Sequence, residues 1–172
     1  MVNESVGYLK LTDFTTEAGS EVRYAVNELK EDGATKIILD LRGNPGGLLE
    51  EAVNVFNVFV GKGREVVTTR GKLNNWTKTY NTLDEPADNE IPLAVLVSNG
   101  SASASEIVSG VMQDYDRGVL VGQRTFGKGL VQQTRPLAYN SQLKVTTAKY
   151  YIPSGRCIQA IDYSHRNADG SV

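Results

Sequence analysis

Leu93-Ala-Val-Leu-Val97, then Ser98-Asn-Gly100, then apolar residues at Ala104, Ile107, Val108, Val111 and Met112 form the stretch that decides the fold. Five consecutive apolar residues closed by a turn signal read as a buried strand. Asn99-Gly100 breaks it. The apolar positions that follow recur at i, i+3, i+4, i+7 and i+8, the period of a helix with one buried face. A strand therefore passes into a helix through a turn of small residues.

The same alternation extends in both directions. Gly7 to Leu11 reads as a short strand and Thr16 to Glu31 as a helix, with Val22, Ala25, Val26 and Leu29 on one face and Gly33 as its stop. Lys36 to Leu41 is a buried strand, followed by the loop Arg42-Gly-Asn-Pro-Gly-Gly47. Leu49, Ala52, Val53, Phe56 and Val60 mark a second helix. Arg64 to Lys72 and Thr77 to Tyr80 suggest a hairpin-like excursion, and Asn81 to Pro92 a polar surface loop. Beyond the quoted stretch, Val119 to Gly122 is a short strand; Leu130 to Arg135 and Leu143 to Ile152 are longer ones. Strands alternating with helices imply an α/β layer fold with parallel crossovers.

Bulk properties narrow the function. The chain has 172 residues, 40% apolar and 22% charged, enough for one domain with a real core. Residues 1–172 are expected to form a single unit. A net charge of −2 without a basic run gives no nucleic-acid surface. No apolar stretch approaches the ~20 residues that cross a bilayer, and Met1-Val-Asn-Glu-Ser5 is not a signal peptide. The single cysteine, Cys157, excludes an internal disulfide and reads as a structural thiol in the last strand. The single histidine, His165, lies in a polar tail, poorly placed for a Ser-His-Asp triad. One His and one Cys cannot make a zinc site without carboxylates. No cofactor is expected.

Three places carry chemistry. In Asn99-Gly-Ser-Ala-Ser-Ala-Ser-Glu106, a serine at a strand-to-helix turn meets free helix N–H groups and the positive end of the dipole, which suits a developing oxyanion. Ser103 with Glu106 also fits the S-x-x-E capping box, so an N-cap is the competing reading. In Thr125-Phe-Gly-Lys-Gly-Leu-Val-Gln-Gln133, Lys128 sits between glycines that permit close backbone approach. If it begins a strand, Leu130 and Gln132 share its face, and Gln132 can orient a neutral amine. A Ser-Lys dyad works through an uncharged amine, and Phe126 and Leu130 are expected to supply the apolar surroundings. A solvated loop lysine is the alternative; the spacing of a phosphate loop is absent. In Asp40-Leu-Arg-Gly-Asn-Pro-Gly-Gly47, the Gly-rich turn is either an anion-binding nest or a plain turn.

Together and in this order, the three motifs resemble those of the carboxyl-terminal processing (tail-specific) serine proteases: D-[LV]-R-x-N-x-G-G, N-x-G-[ST]-A-S-A-S-E and F-G-K-G-x-V-Q. The resemblance runs from about Val6 to Ile161. It implies Ser103 as nucleophile, Lys128 as general base and Gln132 as the residue that orients it. It also implies an oxyanion hole from the Ala104 N–H and a glycine of the first turn, Gly46 or Gly47. The implied fold is the crotonase/ClpP-like spiral of ββα units. Family members usually carry a PDZ domain ahead of the core, and nothing in this sequence reads as one. The resemblance further implies an extracytoplasmic bacterial setting, protein or peptide substrates, and a possible homo-oligomer.

The leading expectation is a serine endopeptidase acting on exposed carboxyl-terminal segments, with the edge of the Leu143 to Ile152 region receiving substrate as an added strand. A non-catalytic peptide-binding module on the same fold is the alternative, because fold alone never fixes function. A crotonase-type acyl-CoA enzyme is a third; it would not need the Ser-Lys pair.

Overall fold

A computed structural model describes residues 1–2, 4–73 and 76–161. Two four-stranded sheets and three helices make up the fold. The first sheet is parallel throughout, in the order β1 (Val6–Lys10), β2 (Lys36–Asp40), β5 (Leu93–Val97) and β6 (Val119–Gly122). Its crossovers carry α1 (Ala18–Glu31), α2 (Leu49–Phe59) and α3 (Ala104–Asp114). The second sheet is antiparallel, in the order β4 (Lys78–Asn81), β3 (Glu65–Gly71), β8 (Gln142–Tyr151) and β7 (Leu130–Pro136). The expected elements all form, their ends within two residues of the sequence reading.

Period-2 burial explains how the parallel sheet packs. Ile37, Leu39, Leu93, Val95 and Val97 are buried, whereas Tyr8, Ile38 and Leu96 on the other face keep some exposure. The helices pack side by side in the order α1, α2, α3. The middle one is enclosed almost all round, so even Glu51 and Asn57 are buried. Both polar groups are matched. Glu51 Oε2 accepts the Gly19 N–H (2.8 Å), and Asn57 bonds the backbone of Val60, Leu83 and Asp84. Gly19 is required there, because a Cβ would come within 2.3 Å of Asn54 Cβ. No described helix is long and apolar enough to cross a membrane.

Two expectations need correction. The region around Leu143 to Ile152 is not a simple free edge: β8 pairs with β7 along its length and with β3 from Ala148 to Tyr151. The strands at the two rims of this sheet are β4 and β7. Cys157 lies just past the last strand, in a segment that bridges back to Tyr151, and it is a free, half-buried thiol. His165 and its polar surroundings lie outside the described residues.

The loop that feeds β5 is better ordered than its polar sequence suggests. Asp88 Oδ1 accepts the Glu90 and Ile91 N–H groups (2.9 and 2.8 Å), and Oδ2 pairs with Lys30 Nζ (2.6 Å). Burial works against the charged form of Asp88. Lys30 and the two N–H groups outweigh it and hold the pKa at about 2. A depressed carboxyl stabilises the fold above its unfolded pKa of about 4 and loses that contribution as pH falls through about 2. Asp88→Asn is therefore expected to cost about 2 kcal/mol near neutral pH and to flatten the acid limb of the stability curve. Urea unfolding between pH 7 and pH 2 measures both effects; an unchanged curve would remove this account of the loop.

Candidate active site

The three motifs follow the carboxyl ends of three adjacent parallel strands. The Arg42–Gly47 turn follows β2, the Ser98–Ser103 turn follows β5, and the Gln123–Gly129 segment follows β6. In open parallel sheets, ligands bind outside this edge.

Ser103 occupies the N-cap of α3, with φ 55° and ψ −113°. A non-glycine residue in this region costs on the order of 1–3 kcal/mol. A sharp, strained strand-to-helix turn of this kind also presents the nucleophile of the α/β-hydrolases. Its serine neighbours are committed to structure. Ser101 Oγ donates to the Leu41 carbonyl (2.7 Å) and accepts the Ser98 N–H; Ser105 Oγ donates to the Asn44 carbonyl (3.0 Å). Both are fully buried, while Ser103 is half-buried.

The Gly-rich turn is held against this serine by Asn44, also fully buried. Asn44 Nδ2 donates to the Leu11 carbonyl (2.9 Å), its Oδ1 accepts the Gly46 N–H (2.8 Å), and its carbonyl accepts the Ala102 N–H (3.0 Å). Gly46, at φ 103°, lies so close that a Cβ would stand 2.7 Å from Ser103 Cβ and 2.9 Å from the Ala104 nitrogen. Its N–H is taken by Asn44, and its carbonyl accepts the Phe14 N–H (3.0 Å). A trans peptide points the following N–H, that of Gly47, away from Phe14. Among the described residues neither the Gly47 nor the Ala104 N–H has an internal acceptor.

Lys128 reaches the site through its backbone. Glu106, buried in the first turn of α3, accepts three N–H groups with one carboxylate. Oε2 takes those of Ser103 (2.9 Å) and Lys128 (2.8 Å), and Oε1 takes that of Gly127 (2.6 Å). One oxygen atom thus binds the candidate nucleophile and the candidate base. The sequence reading assigned Glu106 only to a capping box. Its second task was invisible, because nothing in the sequence places residues 127 and 128 beside α3.

The expected burial of Lys128 is not found. Its side chain is exposed, as is Phe126 at 65%. Gly127 and Gly129 face the protein, so the residue between them faces outward. Lys128 shares the wall of an open cavity of about 830 Å³ with Phe126, Leu130, Gln132, Gln159 and Ile161. Gln132 is exposed on the same wall, and its Nε2 reaches Thr146 Oγ1 at 3.5 Å. A bulge between Val131 and Gln132 adjusts the facing of this strand. Ser103 does not line that cavity.

Asp40 anchors the first turn to the sheet. It is buried and accepts hydrogen bonds from the Arg42 backbone N–H (2.9 Å), Arg42 Nε (2.9 Å), Arg42 Nη2 (2.7 Å) and the Tyr8 hydroxyl (2.6 Å). The Arg42 guanidinium, against the effect of burial, holds the carboxyl well below the usual range.

The sequence matches peptidase family S41 over residues 5–164. It is 43% identical over 164 residues to the carboxy-terminal-processing protease of Bartonella bacilliformis, covering 93% of this chain and 38% of that protein. It is equally identical, at 43% over 155 residues, to a Staphylococcus aureus protein named "Probable CtpA-like serine protease", covering 89% of this chain and 31% of the relative. The structure superposes on the photosystem II D1 C-terminal processing protease with a TM-score of 0.81 and 35% identity, over 90% of this chain and 39% of that one. The chain thus spans between about a third and two-fifths of these relatives.

Glu106→Gln tests the central carboxylate. The amide keeps one acceptor oxygen and turns its NH₂ toward backbone N–H groups that it cannot accept. Hydrogen bonds to a charged group contribute about 1.5–3 kcal/mol each, so a stability loss of about 3 kcal/mol is expected in urea unfolding. A variant as stable as the wild type would show that these bonds hold little.

Proposed function

The chain belongs to peptidase family S41, and from that premise we propose a serine-type endopeptidase core in which Ser103 and Lys128 form the catalytic dyad. The observation that carries the reading is the single Glu106 oxygen that binds the N–H groups of both residues. It holds the backbone of a half-buried serine on a strained turn beside that of a lysine from a separate segment, which supports the reading.

In this reading Ser103 Oγ attacks the scissile carbonyl carbon while the Lys128 amine takes its proton. The carbonyl oxygen becomes an oxyanion for the Ala104 and Gly47 N–H groups, neither of which has an internal acceptor among the described residues. Gly46 then serves by its lack of a side chain, since its own N–H is held by Asn44. Lys128 returns the proton to the departing amine and leaves a Ser103 ester. A water that gives its proton to Lys128 attacks the ester, and as the intermediate collapses Lys128 passes that proton to Ser103 Oγ, which frees the acid and restores the serine and the neutral amine. Gln132, on the same cavity wall, is the candidate for orienting the amine. The apolar residues of that wall have to be covered, by substrate or by closure, to give the amine dry surroundings.

Substrate is read as an extended polypeptide with an exposed carboxyl-terminal segment. The rim strand β7, which starts two residues after Lys128, is the edge to which it would add. The parallel βα units with their companion antiparallel sheet are read as the crotonase/ClpP-like spiral, and residues 1–172 as one catalytic core. The relatives' names favour protein processing; an extracytoplasmic bacterial setting is the reading that the sequence motifs imply.

Labelling with a fluorophosphonate and peptide cleavage test the dyad together. Ser103→Ala and Lys128→Ala are each expected to abolish both signals. Ser101→Ala, Ser105→Ala and His165→Ala should keep labelling. Loss of the N-cap can cost Ser103→Ala about 1 kcal/mol of stability, which a melting curve separates from loss of chemistry. Wild-type cleavage by Ser103→Ala, or a signal that disappears with His165→Ala, would overturn the proposal.

A further inference from the structure

The Gly127-Lys128-Gly129 turn has a second anchor besides α3. After β8 the chain turns through residues 153–156 and runs back as a short strap, Cys157 to Ala160. The strap is tied to the end of β8 by the Ile158 N–H on the Tyr150 carbonyl (3.2 Å) and by the bridge between Tyr151 and Cys157. It then meets the lysine turn at two points. The Ala160 N–H donates to the Gly127 carbonyl (3.1 Å), and Gln159 Oε1 accepts the N–H of buried Gly129 (2.8 Å). The Gly129 carbonyl in turn accepts the Tyr150 N–H (2.8 Å).

The two glycines are explained by this contact. A Cβ at position 127 would stand 2.3 Å from Ala160 Cβ, and one at position 129 would stand 2.3 Å from the Gln159 nitrogen. Three successive backbone N–H groups, those of Gly127, Lys128 and Gly129, therefore end on side-chain oxygens: two on Glu106 and one on Gln159. Such a run of N–H groups is an anion-binding arrangement, here filled by the protein's own side chains. On one side of the Lys128 side chain Glu106 holds the Gly127 and Lys128 N–H groups and the Ala160 N–H holds the Gly127 carbonyl. On the other side the buried Gly129 N–H has Gln159 Oε1 as its acceptor and would be left unpaired without it.

We propose that Gln159 is a positioning residue for Lys128, holding the lysine turn in register with Ser103 from a strap that follows the last strand. The inference rests on the dyad reading above. Gln159 touches no reacting atom; it acts through the Gly129 N–H.

The test measures kcat and KM for peptide cleavage, and the rate of fluorophosphonate labelling, in Gln159→Ala, Gln159→Glu and Lys128→Ala of the purified protein. Misplacing a catalytic group by about 1 Å can cost on the order of a hundredfold in rate. Gln159→Ala is expected to lose kcat and labelling rate on that scale, with KM nearly unchanged. Gln159→Glu keeps an acceptor oxygen at the same reach and should recover most of the loss. If Gln159→Ala does not fold, Gln159→Met, of similar length and without the oxygen, takes its place with the same expectation. Wild-type kcat in a folded variant without the oxygen, alongside an inactive Lys128→Ala, would overturn the role of Gln159 and leave the dyad standing. An active Lys128→Ala would remove the dyad itself.

Discussion

The carboxylate of Glu106 joins two parts of the chain that the sheet topology only brings near each other. It is buried in the first turn of α3, and its two oxygens accept N–H groups from Ser103, Gly127 and Lys128. A buried carboxylate without such partners would be costly. The same desolvation makes it a firm constraint once three donors are present. If the bonds were broken, α3 would keep its place in the core, and the bond from the Phe126 N–H to the Ser101 carbonyl (3.0 Å) would be left to hold the lysine segment against the serine turn. The geometry of the site follows from this one group more than from any contact between the serine and lysine side chains.

Around it the molecule supplies order in layers. The parallel sheet sets three loops side by side at its carboxyl edge. Asn44 fixes the first loop with both ends of its amide and its own carbonyl, and Ser101 and Ser105 tie the second to the first. These buried polar groups are all satisfied among the described residues. A satisfied polar network rigidifies a site, and rigidity is what a preorganised oxyanion pocket requires. The strain at Ser103 persists because this surrounding network leaves the turn no alternative.

Much of the fold could be read from local pattern. Leu93–Val97 and the helix behind it announce a strand-turn-helix unit, and repeating that unit dictates a parallel sheet. The serine and lysine motifs could be placed on their turns for the same reason. Long-range pairing was less legible. The position of β8 between β3 and β7 depends on which strands meet, not on the alternation of Leu143 to Ile152. The exposure of Lys128 was missed because Gly-Lys-Gly says that backbone comes close, but not on which side. Glu106 and Gln159 were missed as anchors because their partners lie 21, 22 and 30 residues away.

The account is tested most directly by a crystal structure of the protein inactivated with a fluorophosphonate. The phosphorus is expected on Ser103 Oγ, with its non-bridging oxygen about 2.7–3.1 Å from the Ala104 and Gly47 nitrogens. The Lys128 amine should lie within about 3.2 Å of the Ser103 oxygen, with Glu106 still bridging the two segments. An adduct on another residue, or one on Ser103 whose oxygen points into solvent while Lys128 stays turned away, would contradict it.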